Sequence, residues 1–473
     1  MRLSSSVSDT ATGKECGASE SIICSSPVKE SRFRSQMALF AGFAAQILQY
    51  GSGLLLLPFI LIKLPAAEVG VWYIFITLQG LAALADFGFQ PTFARSFSTA
   101  YAGATHIIKN GLAETNNNAN LPLVRDLLRL CRQFYCGLSV FVLALMASLG
   151  YFYLPTIVHG EKISLVYVQN AWAILSFSTA LSIYFAWNNG FLFGAGKISA
   201  TYWGQIVSRV GFLLIGSAAL LFGWGLIGLA IANLTAVLTA RVMLQWQMAP
   251  LFRQLEGTSN LATEGFTDLF SAIWPNAVRM GLVALGAFLI TRLNVLIASS
   301  FFSLEVAASY AITIQFLTAV NSVAQLPIAV AIPDMVELRV RDQKALLRST
   351  WLLRQSILLI LFGSGVCAVA FIVQPLLGYI DSSVQLLPTS LILLMGLVLL
   401  LEANHSSCAL VITTGNSVPF VGAALWSGFS VAVLAITASW AGLGVAGLIC
   451  AQGAVQLAYN NWKWPLELWR ELN

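Results

Sequence analysis

Apolar residues along this chain come in blocks of twenty to thirty, separated by short polar or basic stretches. At 1.5 Å per residue, a helical block of that length covers the roughly 30 Å hydrocarbon core of a bilayer. Six such blocks fall at about residues 38–62, 69–90, 134–157, 166–190, 200–222 and 225–247. Six more fall at about 273–299, 305–333, 350–378, 385–410, 418–440 and 443–462. The pattern predicts an all-α polytopic membrane protein with about 12 transmembrane helices. Helical periodicity is visible inside the seventh block, where Asn276, Met280, Ala284, Ala287, Thr291, Asn294 and Ala298 recur at steps of three and four. On a continuous helix that is one face of small and polar residues, suited to lining water or packing a neighbour.

The first 35 residues are rich in Ser and mixed charge and have no apolar run long enough for a signal peptide, so they read as a disordered tail. Orientation follows from sorting the 25 Lys and Arg under alternating spans. Twenty fall on one side, two (Lys63 and Lys162) on the other, and three inside the spans. The positive-inside bias then places both termini in the cytoplasm. A short motif also repeats. Glu68-Val69 with Tyr73 recurs as Glu305-Val306 with Tyr310, and each copy opens the second span of its half. Each of those spans is expected to end near a Pro (Pro91; Pro327 and Pro333) before a long basic loop. The chain therefore divides into a tail (1–35), an N-terminal six-helix lobe (36–250) and a C-terminal six-helix lobe (265–473). Such parallel repeats place a substrate site in a central cavity between halves.

Composition narrows the chemistry. With 58% hydrophobic and 10% charged residues, the chain lies far from a soluble domain. Three separated histidines and seven scattered cysteines (16, 24, 131, 136, 367, 408, 450) supply neither a zinc site nor a disulfide framework. There is no Gly-rich phosphate loop and no Ser-His-Asp constellation, so no cofactor and no extramembrane catalysis are expected. The net charge of +5 faces anionic lipid headgroups and calls for no nucleic-acid partner.

Ionisable residues within spans cost about 2.5–3.5 kcal/mol each on insertion scales and are functional candidates by default. Asp86, Arg209, Arg279, Arg292 and Glu402 qualify. Arg279 and Arg292 flank the polar stripe of span seven. Standing roughly 140° apart on the helix, they need not share a ligand but suit successive positions of a diphosphate headgroup along a path, because guanidinium is permanently charged and matches phosphate oxygens bidentately. Snorkelling of Arg279 and carbonyl capping by Arg292 is the competing reading, and the same competition applies to Arg209. Amides line other faces: Gln46 and Gln49 on span one, Gln79 and Gln90 beside Asp86 on span two, Asn321 and Gln325 on span eight. With Asn276 and Asn294 they suit either the hydroxyls of a sugar chain or interhelical hydrogen bonds. Asp86 and Glu402 are candidates for ion coupling, with solvation or a Glu402–His405 pairing as the alternative. The sequon matches at Asn233 and Asn404 lie inside spans and carry no signal.

The segment 54–98 resembles the opening of bacterial O-antigen and polysaccharide flippases of the multidrug/oligosaccharidyl-lipid/polysaccharide exporter superfamily. The resemblance rests on Leu57-Pro58, Gly70-Val71-Trp72-Tyr73, and Asp86-Phe87-Gly88-Phe89 ahead of an Arg. The stretch TRLNVLIASSFFSLEVAASYAI is similar to that family's seventh span, with Asn294 where many members carry an acid. The resemblance implies a two-lobed bundle in the bacterial inner membrane that moves an undecaprenyl-diphosphate-linked glycan, an O-antigen or capsule or exopolysaccharide repeat unit, from inner to outer leaflet. A polysaccharide polymerase and a chain-length regulator are the protein partners it implies. Two other readings compete. A drug/cation antiporter of the same superfamily calls for an acidic cavity. A membrane polysaccharide polymerase or ligase calls for a large outer loop, whereas the longest outer connection, near His159 to Lys162, is about ten residues.

Overall fold

A computed structural model of the chain describes residues 27–107, 118–159, 161–256, 265–379, 382–414 and 419–472. Helix α1 (Pro27–Lys63) already begins inside the stretch read as tail; residues 1–26 lie outside the described residues. The second rod is broken. It comprises α2 (Ala66–Ala83), a 3-10 turn at Leu84–Asp86, and α3 (Phe89–Tyr101). Then follow α4 (Leu121–Phe152) with the short α5 (Leu154–Val158), α6 (Leu165–Tyr184) with α7 (Ala186–Gly194), α8 (Ile198–Leu221) and α9 (Gly225–Glu256). The second half holds α10 (Phe266–Thr291) with α11 (Leu293–Phe301), α12 (Leu304–Val340), and α13 (Lys344–Ala368), which runs through a π turn into α14 (Gln374–Tyr379). It closes with α15 (Thr389–Thr413), α16 (Val421–Trp440), α17 (Gly444–Ala458) and α18 (Asn460–Leu472).

Among the described residues the first seventeen helices join at short breaks into twelve rods, six in each half, with α18 set apart. Eight are long and apolar enough to cross a bilayer, and α10 with α11, bent by 41°, makes a ninth. The remaining rods are diluted or shorter. Gln169 and Asn170 interrupt α6, and α17 is only 15 residues long. The fold is thus all-helical and two-lobed.

Several expected boundaries shift for identifiable reasons. The basic stretch 125–132 is helical, because the Asn120 side chain caps α4 by accepting from Leu123 N at 3.1 Å, and Leu123, Val124, Leu127 and Leu130 bury one face of the extension. Pro327 does not end its span. α12 continues to Val340, as membrane helices tolerate Pro where neighbours satisfy the freed carbonyl. Pro91 sits in the first turn of α3, where its missing N–H costs nothing.

The two lobes meet along α2 and α12, the helices that carry the repeated motif. Their starts are in backbone contact: a Cβ placed on Gly70 would strike the Leu304 carbonyl oxygen. Tyr73 donates its hydroxyl proton to Gln315 of α12 across this seam. At the same end, the Tyr153 hydroxyl lies 3.0 and 3.1 Å from the hydroxyls of Ser299 and Ser300, and Ser383 N donates to Leu61 O at 2.9 Å. At the other end, which bears the basic segments, α10 leans on the N-terminal lobe through aromatic packing of Phe270 and Trp274 around Phe89. There Gly281 faces Phe87 so closely that a Cβ would sit 2.7 Å from the Phe87 Cα. Small residues at such crossings are what lipid-embedded helices need, since lipid tails supply no hydrophobic drive for helices to associate.

The helix α18 lies outside the spans and folds back on α15. It is tied by the Arg339–Glu471 ion pair and by Arg348 stacked 4.0 Å over Trp469. Within it Lys463 donates to Glu467 at 2.8 Å, which raises the lysine pKa and lowers that of the carboxyl.

The seam makes a direct prediction. Gly70→Ala should lower the melting temperature of the purified protein by several degrees, the expectation for overpacking that costs about 1–3 kcal/mol. Gly51→Ala, where an added Cβ meets nothing within 4 Å, should leave it unchanged or slightly raised. Equal melting temperatures for both variants would show that the α2–α12 contact does not limit stability.

Candidate functional site

Five rods of the N-terminal lobe surround a cavity of about 620 Å³. It lies toward the basic end of the bundle. Two helices contribute polar faces in register: Gln205, Ser208 and Arg209 at steps of three and one on α8, and Asn233, Val237, Arg241 and Leu244 at steps of four, four and three on α9. Gln49 of α1, Gln79 and Gln90 of α2 and α3, and Asn188 and Asn189 of α7 complete the amide lining. Room comes from small residues on the same faces, Ala45, Gly80, Ala83 and Ala240.

Part of this lining is structural. Gln79 Nε2 donates to Thr179 Oγ1 at 3.0 Å and to Asn233 Oδ1 at 3.4 Å, and Ser178 Oγ donates to the same Asn233 oxygen at 2.7 Å. These bonds tie α2, α6 and α9 together and fix one wall. The rest is unspent. Asn188 is fully buried, yet neither its Nδ2 nor its Oδ1 has a hydrogen-bond partner. Arg241 is stacked 4.4 Å from the centre of Phe185 and 5.0 Å from that of Trp187, while its buried Nε and Nη1 lack partners. Trp187 also receives Arg132, at 4.4 Å.

Stacking on aromatic faces recovers about 0.5–2 kcal/mol per guanidinium, well short of the cost of desolvating a charge. The ion pairs at Arg129–Asp126, Arg339–Glu471, Arg341–Glu337 and Lys463–Glu467 all lie away from this cavity. No Asp or Glu stands among the described residues that line the cavity. The volume falls within the 300–1,000 Å³ typical of small-molecule sites, and two guanidiniums and a ring of amides give the cavity a basic, hydrogen-bonding lining.

Of the residues singled out from sequence, Arg209, Gln49, Gln79 and Gln90 stand on this wall. Gln46 is one turn earlier on α1 and Arg279 and Asn276 are on α10, but their side chains lie outside the described residues. Arg292 is not in the middle of a continuous span. It is the junction residue of the α10–α11 bend, exposed and off the cavity wall. That bend also breaks the expected single stripe. Ala284 and Ala287 are exposed on α10, whereas Asn294 and Ala298 on α11 are completely buried.

Asn294 therefore does not reach the cavity. Its Nδ2 donates to Gln452 at 3.2 Å, and Gln452 in turn donates to Glu402 at 2.9 Å, a polar chain through α11, α17 and α15. Glu402 does not pair with His405, whose Nδ1 lies 2.7 Å from Asn461. Gln325 donates to Ser406 at 3.5 Å between α12 and α15, and Asn321 keeps a buried Oδ1 without a partner. Asp86 sits in the 3-10 turn, where it accepts from the Tyr135 hydroxyl at 2.5 Å and from Gln90 N at 3.2 Å. It thereby caps α3 across Phe87 and Gly88, both left-handed at φ 45° and 72°.

Sequence reading missed Arg241, counted with the basic residues of the cytoplasmic side although it falls in the block 225–247, and Asn233, set aside as a stray sequon. The steps of four joining Asn233, Val237 and Arg241, matched by Gln205 and Arg209 on α8, are the signal that marks both.

The fold and cavity define a multi-pass helical membrane protein with a basic, amide-lined chamber in its N-terminal lobe. No family model and no curated protein matches the sequence. Solved structures do. A multidrug resistance transporter of the MATE family in the MOP superfamily, in an inward-facing conformation, is similar at a TM-score of 0.56 and 12% identity over 93% of this chain and 98% of that one. The lipid II flippase MurJ in an inward closed conformation is similar at 0.55 and 13%, over 92% and 87%. A MOP superfamily transporter from Pyrococcus furiosus, described as having a binding pocket of reverse polarity, is similar at 0.54 and 12%, over 93% and 96%. The chain thus has the fold of this superfamily's transporters.

The cavity's charge predicts its ligand. Arg209→Ala and Arg241→Ala should each weaken binding of inorganic diphosphate to the purified protein about ten- to hundredfold, the loss of one charge-assisted contact. Titration calorimetry measures this, and undiminished binding in both variants would remove the arginines from the site.

Proposed function

We propose that this protein is a flippase for an undecaprenyl-diphosphate-linked oligosaccharide, an O-antigen or capsule or exopolysaccharide repeat unit, moving it from the inner to the outer leaflet of the bacterial cytoplasmic membrane. The observation that carries this reading is a cavity in which Arg209 and Arg241 face seven amide side chains and no carboxylate among the described residues. The guanidiniums take the diphosphate, the amides take sugar hydroxyls, and the lipid tail stays in the bilayer. The shared fold with a lipid II flippase supports the reading.

Translocation then proceeds by alternating access, the lobes rocking about the α2–α12 seam. Arg279 and Arg292 on the second lobe are assigned to later positions of the diphosphate along its path. For ion coupling, Glu402 is the better of the two acids. Asp86 has both oxygens engaged in holding the α2–α3 break, whereas only one oxygen of Glu402 accepts from Gln452.

Likeness to multidrug transporters keeps the drug/cation antiporter as a second reading, but a cation would enter a chamber lined by two guanidiniums and no carboxylate among the described residues. Deleting the gene and restoring it with the Arg209→Ala, Arg241→Ala double variant decides the matter. The expected result is at least a tenfold loss of surface polysaccharide, normal protein in the membrane, and accumulation of single lipid-linked units. Full polysaccharide ladders with the double variant would refute the assignment.

A further inference from the structure

A second cavity, of about 550 Å³, lies beside the first at the basic end of the N-terminal lobe. It sits between α3, α7 and the start of α8. The two chambers share Gln90 and Asn189, so a pair of amides forms the partition between them. Gly190 and Gly194 set its floor by letting α7 press on α3: a Cβ on Gly194 would come within 2.8 Å of Ala94 O and 3.0 Å of Ser98 N. The first turn of α3, which carries Gln90, is held by the Gln90 N to Asp86 bond.

The lining differs in kind from that of the main chamber. Phe193, 43% exposed, and Pro91 present apolar surface, Ser98 and Thr99 present hydroxyls, and Arg95 stands exposed on the wall. No carboxylate lines it among the described residues. An aromatic face beside amides, hydroxyls and one guanidinium complements a sugar ring, whose C–H faces are apolar, whose rim is hydroxylated, and which here bears a negative charge. Asn188, fully buried with both amide atoms unpartnered on the turn that also carries Asn189, shows that hydrogen-bonding capacity next to the partition is unspent.

We infer that the second cavity is a distal glycan subsite: the part of the oligosaccharide farthest from the diphosphate passes the Gln90–Asn189 partition, rests on Phe193, and places a sugar carboxylate on Arg95. The protein thereby selects for acidic glycans of sufficient length. This rests on the reading of the main chamber as the diphosphate and proximal sugar site.

The test uses the full chain in nanodiscs and three probes: inorganic diphosphate, a neutral glucose tetrasaccharide 1-diphosphate, and the same tetrasaccharide ending in glucuronate. Arg95→Ala should weaken the glucuronate probe at least tenfold while leaving inorganic diphosphate and the neutral tetrasaccharide within twofold. Phe193→Ala should weaken both tetrasaccharides and spare inorganic diphosphate. If Arg95→Ala leaves the glucuronate probe unchanged while diphosphate still binds through Arg209, the distal subsite is refuted and the flippase reading stands. If wild-type protein binds no inorganic diphosphate, the flippase reading fails; an Arg95-dependent preference for the glucuronate probe would then still support the acidic-sugar site. Because Arg95 is exposed, its variant should melt with the wild type, and a shifted melting temperature with equal losses for all three probes would likewise refute the subsite.

Discussion

The architecture depends on helix backbones coming into contact across the lobe interface. In a bilayer the surrounding lipid is as apolar as leucine, so helices associate only where close packing or hydrogen bonding exceeds what lipid offers. Gly70 against the Leu304 carbonyl meets that condition, and Tyr73 to Gln315 adds a directional bond to the same seam. The C-terminal lobe uses the same device internally, where a Cβ on Gly428 would lie 2.9 Å from Gly286 O. Because α2 and α12 carry the same repeated motif, the seam places equivalent helices of the two halves face to face, a natural axis for relative rotation of the lobes.

Both lobes combine bonded polar networks with unpartnered polar groups. In the C-terminal lobe Asn294 donates to Gln452 and Gln452 to Glu402, and Gln355 donates to Asn404 at 2.7 Å while accepting from Ser407 at 2.8 Å, but the buried Oδ1 atoms of Asn294 and Asn321 are without partners. In the N-terminal lobe the Gln79–Thr179–Asn233 wall and the Tyr135–Asp86 pair are closed. Arg241 and Asn188 are held in place by packing rather than by polar partners. An interior charge without a counter-charge is the costly half of an ion pair, and a ligand bearing the other half completes it. What distinguishes the N-terminal lobe is that its unpartnered groups include a guanidinium at the cavity wall.

Much of the fold was legible in the sequence because the bilayer imposes it. Apolar blocks of the right length must be helices, and the EV…Y repeat marked the two halves whose matching helices form the seam. Arg209 and Gln49 were also visible, as polar residues at positions where lipid would penalise them. Boundaries were less legible. Pro327 lies within a continuing helix, and the basic stretch 125–132 is helical, because capping and burial by neighbours override local preference.

By itself, then, the sequence determined that this is a two-lobed helical membrane protein with more cations than acids in its interior, since those facts follow from local composition and period. Only the tertiary structure decided which polar residues share a chamber. The 41° bend at Arg292 turns Asn294 from a continuous stripe into buried packing, a rotation that helical periodicity cannot report. Likewise Arg241 becomes a cavity residue only because Phe185 and Trp187, more than fifty positions earlier, fold beneath its guanidinium. Side-chain identity sets what a residue is able to bind, whereas the crossing of distant helices sets what it meets.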